Sequence, residues 1–170
     1  EQYTDFELVL DFKCAPGGNS GVMYRVDERH QYPWMTGPEF QLLDDAGWKE
    51  PAEGVHATGA LYDILGPAKD KPYNPAGEWN TARIRLKDGL LTHALNGRIV
   101  LAQRLDTPEW RSKIAASKFK GYDGFGVQPR GYLALQDHGQ EVWFRDIKVR
   151  DLSTEPAGAT PLFDGKSLAG

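Results

Sequence analysis

The sequence holds 170 residues with a formal charge of -4, 19 glycines, 11 prolines and a single cysteine. That length suits one domain with its own core. The mildly acidic balance, without a basic block, speaks against nucleic acid as a partner. No apolar run is long enough to span a bilayer, no signal peptide is read, and the lone Cys14 excludes an intrachain disulfide or a thiolate metal cluster.

Phe6, Leu8, Leu10 and Phe12 alternate with Glu7, Val9, Asp11 and Lys13, the pattern of a strand with one apolar face. After a turn at Ala15–Asn19, a second strand runs over Gly21–Val26, with Val22, Tyr24 and Val26 on one face and Met23 and Arg25 on the other. Asp27–Pro38 reads as a polar and aromatic loop. Glu39–Asp44 is a third strand that sets Glu39 and Gln41 opposite Phe40 and Leu42. A long loop, Asp45–Thr58, precedes the strand-like Ala60–Leu65 and the proline-punctuated Gly66–Gly77. Asp88-Gly89 and Asn96-Gly97 are strong hairpin signals and predict an antiparallel meander of Trp79–Lys87, Leu90–Leu95 and Arg98–Arg104. Thr107-Pro108-Glu109 opens a short helix that ends before Phe119, with Thr as cap and Pro in the first turn. A glycine-rich loop, Gly121–Arg130, follows.

Gly131–Arg150 reads as two strands joined by a tight polar turn, Gln136-Asp137-His138-Gly139. Strict alternation places Arg145 with Trp143, Ile147 and Val149, which would bury a cation at high cost. A bulge between Phe144 and Asp146 would turn Trp143 and Arg145 toward the polar face instead. No parallel βαβ rhythm appears, so the predicted fold is an all-β antiparallel sandwich, a jelly roll with one short helix. Its domain spans residues 1–152. Residues 153–160 form a linker, and 161–170 a strand-like segment.

Arg25, Glu39, Gln41 and Gln136 collect on one polar face, which is either solvated or a concave surface for a ligand rich in hydroxyls or carbonyls. His138, beside Asp137 in a turn, is suited to proton transfer. His93 shares parity with Leu91 and Leu95, which favours a satisfied buried histidine. Tyr32, Trp34, Trp48 and Tyr73 are loop aromatics that either anchor their loops or stack on sugar rings. No nucleophile elbow, phosphate loop, dinucleotide fingerprint or helical zinc motif is present. No cofactor is evident.

NSGVMYR (19–25), GPEFQLLDD (37–45), TGALYDIL (58–65), GEWNTARI (77–84), THALNG (92–97) and LQDHGQEVWFRDI (135–147) together resemble the 3-keto-disaccharide hydrolase domain family. The resemblance implies a concanavalin A-like jelly roll, an extracytoplasmic location and cleavage of glycosides oxidised at C3, by hydrolysis or by elimination and hydration. A C3 ketone acidifies the C2 proton, so such a site needs a base, a donor or cation on the ketone oxygen, and an acid for the leaving group. On this resemblance His138, Glu39 and His93 are the acid/base candidates. Arg25 and Arg145 would hold oxyanion charge, a role a divalent cation could take instead. Gln41, Tyr62, Gln136, Asp137 and Trp143 would complete substrate binding. The family's opening motif resembles PLFDGKSLAG, which stands here at 161–170. That segment is expected to pack where a first strand would lie, on its own domain or by exchange with a neighbouring copy. The rival readings are a non-catalytic carbohydrate-binding module and an interaction domain of an exported protein.

Overall fold

Strand β1 (Phe6–Cys14) keeps its alternation: Phe6, Leu8, Leu10, Phe12 and Cys14 are buried, while Val9, Asp11 and Lys13 are half-buried on the other face. Burying those two phenylalanines and two leucines is worth about 6–12 kcal/mol in area terms, before conformational entropy. β1 is therefore a central strand, with β4 (Asn80–Lys87) on one side and β8 (Val142–Asp151) on the other. The computed structural model describes residues 1–48 and 52–154. Among them eight strands form two antiparallel sheets, ordered β6-β5-β4-β1-β8 and β3-β2-β7. The remaining strands are β2 (Asn19–Val26), β3 (Glu39–Leu43), β5 (Leu90–Leu95), β6 (Arg98–Arg104) and β7 (Tyr132–Leu135), with a single helix, α1 (Pro108–Ala116). The sandwich is the jelly-roll architecture that the alternation predicts.

The β4-β5-β6 meander turns at Asp88-Gly89 and Asn96-Gly97. All four residues have positive φ, as a two-residue hairpin turn requires. Helix α1 starts where expected, with the Thr107 hydroxyl accepting from Trp110 N at 3.2 Å. Outside the five-stranded sheet, Glu7 pairs with Arg83 and Arg150, and Asp11 with Arg145 and Thr81.

Three expectations are corrected. Ala60–Leu65 forms only isolated bridges, Leu61 to Phe40 and to Leu65, rather than a strand. The two strands of 131–150 are not hairpin partners: β7 pairs with β2 and β8 with β1, so residues 136–141 carry the chain from one sheet to the other. The bulge in β8 is present but one residue further on. Asp146 and Ile147 together oppose Leu10, and Asp146 is left-handed at φ 51°.

Val149 lies opposite buried Leu8 yet is 40% exposed, because β8 is an edge strand that the smaller sheet does not fully cover. The segment expected to pack as an extra strand, 161–170, and most of the linker lie outside the described residues. No helix among the described residues is long and apolar enough to cross a membrane.

Candidate active site

The outer face of the three-stranded sheet carries the site. Val22, Tyr24, Phe40 and Leu42 point into the core, so the alternate positions Glu39 and Gln41 point outward from β3. They are nonetheless buried, at 6% and 4% exposure, because loops rise around them. Asn19 on β2 and Gln136, just past β7, complete the floor. One wall is Trp34, from the 3-10 turn Pro33–Met35, together with Lys118, Phe119 and Tyr122 around the 3-10 turn Lys118–Gly121. Tyr62 forms a second wall and His138 the far lip. The cavity encloses about 440 Å³, within the range of small-molecule sites.

The walls are fixed from behind by helix α1. Its buried Trp110 donates from Nε1 to the Gly126 carbonyl at 2.8 Å, and Gly126 N donates to the Thr36 carbonyl at 2.8 Å. Thr36 Oγ1 accepts from Asp27 N at 2.9 Å. Trp34 stacks on Tyr32 with centroids 5.7 Å apart and meets Tyr122 edge-on at 5.2 Å. Asp63, left-handed at φ 61°, accepts from Lys118 N at 3.2 Å and pairs with His56 at 3.1 Å, which clips the Tyr62 loop to the Lys118 turn.

Glu39 is the chemically distinctive group. Burial pushes its carboxyl up to about 8, against a small opposing pull from the Lys118 ammonium. The Gln41 NH2 donates to Glu39 Oε1 and to the Ser20 carbonyl, each at 3.2 Å; the reverse orientation would aim the amide oxygen at two acceptors. Room for the carboxyl comes from Gly21. A Cβ there would lie 1.8 Å from Glu39 Oε1 and 2.5 Å from its Cδ. The Lys118 ammonium sits over the Tyr62 ring, 4.1 Å from its centroid, and no carboxylate among the described residues comes within ion-pair distance of it. His138 Nδ1 donates to Gln140 Oε1 at 2.7 Å, which leaves Nε2 to serve the pocket.

Of the residues singled out from sequence, Glu39, Gln41, Tyr62, Gln136 and His138 come together here. Asp137 does not line the pocket; its carboxylate accepts from Gly139 N at 2.9 Å and shapes the turn. Arg25 is turned away by an irregularity in β2. Tyr24 and Arg25 are bulged against β7, Arg25 has φ 53°, and its guanidinium donates to the Thr4 carbonyl. His93 is fully buried between the sheets. Its Nδ1 donates to the Gly59 carbonyl and its Nε2 accepts from the Tyr24 hydroxyl, both at 3.0 Å, so the ring is neutral, and burial pushes its pKa down to about 4. Trp143 and Arg145 lie on the outer face of the other sheet. There Arg145 pairs with Asp11 at 3.1 Å and covers the Trp79 ring, and Lys13 covers Trp143. The expectation of Arg145 beside Glu39 is therefore corrected: β8 belongs to the five-stranded sheet.

Sequence reasoning missed Lys118, Asn19, Phe119 and Tyr122, and the role of Gly21. Only Asn19 and Gly21 had a signal, since both sit across β2 from β3. Among the described residues no three His, Cys, Asp or Glu side chains gather as metal ligands.

A jelly-roll sandwich with a sugar-sized, carboxyl-floored pocket on its smaller sheet defines the class. The chain belongs to the 3-keto-alpha-glucoside-1,2-lyase-like domain family, whose model matches residues 1–150. It is 32% identical over 174 residues to a 3-keto-disaccharide hydrolase of Bacteroides thetaiotaomicron, with 89% of this chain and 60% of that protein covered. The chain thus spans less than two thirds of that relative's length. A crystal structure of a provisionally named glycosyl hydrolase from Parabacteroides distasonis superposes with a TM-score of 0.84 at 34% identity, over 89% of this chain and 74% of that one. The carbohydrate-binding module CBM66 of Bacillus subtilis shares the fold at a TM-score of 0.55 and 12% identity, over 89% of this chain and 78% of that one.

Proposed function

We propose that this domain cleaves 3-keto-glycosides, 3-keto-disaccharides among them, by elimination across C1–C2 followed by hydration. The observation that carries the reading is Glu39, a buried carboxyl held at about 8 on the pocket floor with an ammonium nearby. A base with so high a pKa is matched to a proton made acidic by an adjacent ketone. Ionised Glu39 takes the C2 proton, and the electron pair moves onto the C3 oxygen as an enolate. Lys118, on the pocket wall, stabilises that charge. The enolate collapses, C1=C2 forms and the C1–O bond breaks. His138, protonated at Nε2, gives its proton to the departing oxygen. Water then adds to the unsaturated ketone, with hydroxyl at C1 and hydrogen at C2.

The test is proton exchange followed by NMR. In D2O the enzyme should wash deuterium into C2 of a 3-keto-glucoside and release its leaving group, and Glu39→Gln should abolish both. His138→Ala should lower kcat by about 100- to 10,000-fold, the usual range for an acid/base group. Release without C2 exchange, or an active Glu39→Gln variant, would refute this mechanism.

A further inference from the structure

On the reading just given, we infer that Asn19 and Gln136 form the leaving-group subsite, and that they recognise a second sugar ring by its hydroxyls. Strand register carries the first step. Glu39 lies opposite Met23, Gln41 opposite Gly21, and Leu43 opposite Asn19. The Glu39 carboxyl leans over Gly21, so the floor runs lengthwise along β2 from the carboxyl toward Asn19, about 7 Å for the two residues from Gly21 to Asn19. Gln136 belongs to the amide end, because its backbone N donates to the Gly21 carbonyl at 2.9 Å and its carbonyl accepts from Ser20 Oγ at 2.7 Å. His138, the acid for the departing oxygen, follows two residues later.

The two ends differ in chemistry. Tyr62 belongs to the carboxyl end, where its backbone N donates to the Glu39 carbonyl at 3.0 Å and its ring carries Lys118. That end holds the ketone and its enolate. The other end presents side-chain amides, each able to donate and accept, as a sugar hydroxyl does. The Gln136 side-chain amide makes no hydrogen bond to another described residue. Asn19, 8% exposed, meets only Gln41, at 3.5 Å. A buried Asn19 amide and a half-buried Gln136 amide with so few partners suit a hydroxylated ligand. An aryl leaving group would strand these amides, and a site built to hydrogen-bond discriminates strongly against a ligand that cannot.

The experiment compares kcat/KM for a 3-keto-disaccharide and for a p-nitrophenyl 3-keto-glucoside. Asn19→Ala and Gln136→Ala should each lower the disaccharide-to-aryl ratio by about 10- to 100-fold. An unchanged ratio would overturn the subsite and leave the elimination reading standing. Gln136 is half-exposed, so its truncation keeps the test open if Asn19→Ala misfolds. If the wild type cleaves neither substrate, the elimination reading fails on its own. The subsite is then tested by titrating the unoxidised disaccharide and methyl glucoside against Trp fluorescence. Weaker binding of the disaccharide alone in the variants supports the subsite; equal weakening of both ligands, or of neither, refutes it.

Discussion

Replacing Gly21 by alanine separates the fold from the chemistry. The added Cβ would stand 1.8 Å from Glu39 Oε1, 2.5 Å from Cδ and 2.8 Å from Cγ. Ordinary contact begins at 3.4 Å, so the carboxyl end must move by roughly 1.5 Å, and it can do so because it is the far end of a flexible side chain. Gly21 has no positive φ, so the backbone accepts alanine, and a strand position gains about 0.5–1 kcal/mol over glycine from the smaller entropy loss. A displacement of 1 Å at a reacting group costs about 100-fold in rate. The expected variant is therefore as stable as the parent or slightly more so, with kcat on a 3-keto-glycoside reduced by about 100-fold or more. Thermal unfolding by circular dichroism and a leaving-group release assay measure the two halves. Turnover within threefold of the parent at an unchanged Tm would show that Glu39 does not need the space above Gly21, and would remove it as the base.

Glu39→Gln should raise stability by a few kcal/mol at pH 8, at about 1.4 kcal/mol per pH unit of separation. Between 4.5 and about 8 the unfolded chain is ionised at Glu39 while the folded one keeps its proton, so this part of the stability falls as pH rises through that window and is flat above it. Parallel Tm-against-pH curves for parent and variant would refute it. Lys118→Met should lower kcat by about 100- to 1,000-fold. It should also move the rising limb of the pH–rate profile upward, because the ammonium holds the Glu39 carboxyl down; an unmoved limb would separate the two groups. His93 works in the opposite sense: the folded ring stays neutral to about 4 while the unfolded ring takes a proton near 6.5. Its share of the stability is thus lost as pH falls from 6.5 to 4, and His93→Phe should flatten that acid limb.

Much of the scaffold was legible because each strand carries its own evidence. The period-two alternation of β1 and the Asn96-Gly97 and Asp88-Gly89 turns are local signals and need no partner to be read. The facing of Glu39 and Gln41 followed from the same parity. What failed was non-local. Whether β8 joins the sheet of β7 or the opposite one depends on which neighbour completes its ladder, and that choice decided the placement of Trp143 and Arg145. Arg25 was lost to a one-residue bulge, which reverses every side chain beyond it. Lys118 sits in a 3-10 turn, without periodicity to mark it. Gly21 matters for an atom it lacks, which is visible only when a neighbour fills the space.

The pocket's floor and its walls come from different kinds of structure. Glu39 and Gln41 are fixed by the register of β2 and β3, whereas Trp34, Tyr62 and Tyr122 stand on connecting segments. Connections accept changes of length and sequence that a paired strand does not. The position of the floor carboxyl and the shape of the aromatic walls are thus inherited on separate parts of the chain. A duplicated copy of such a domain can reshape its walls by altering residues 31–36 or 119–127 while the Glu39 carboxyl stays where the sheet holds it.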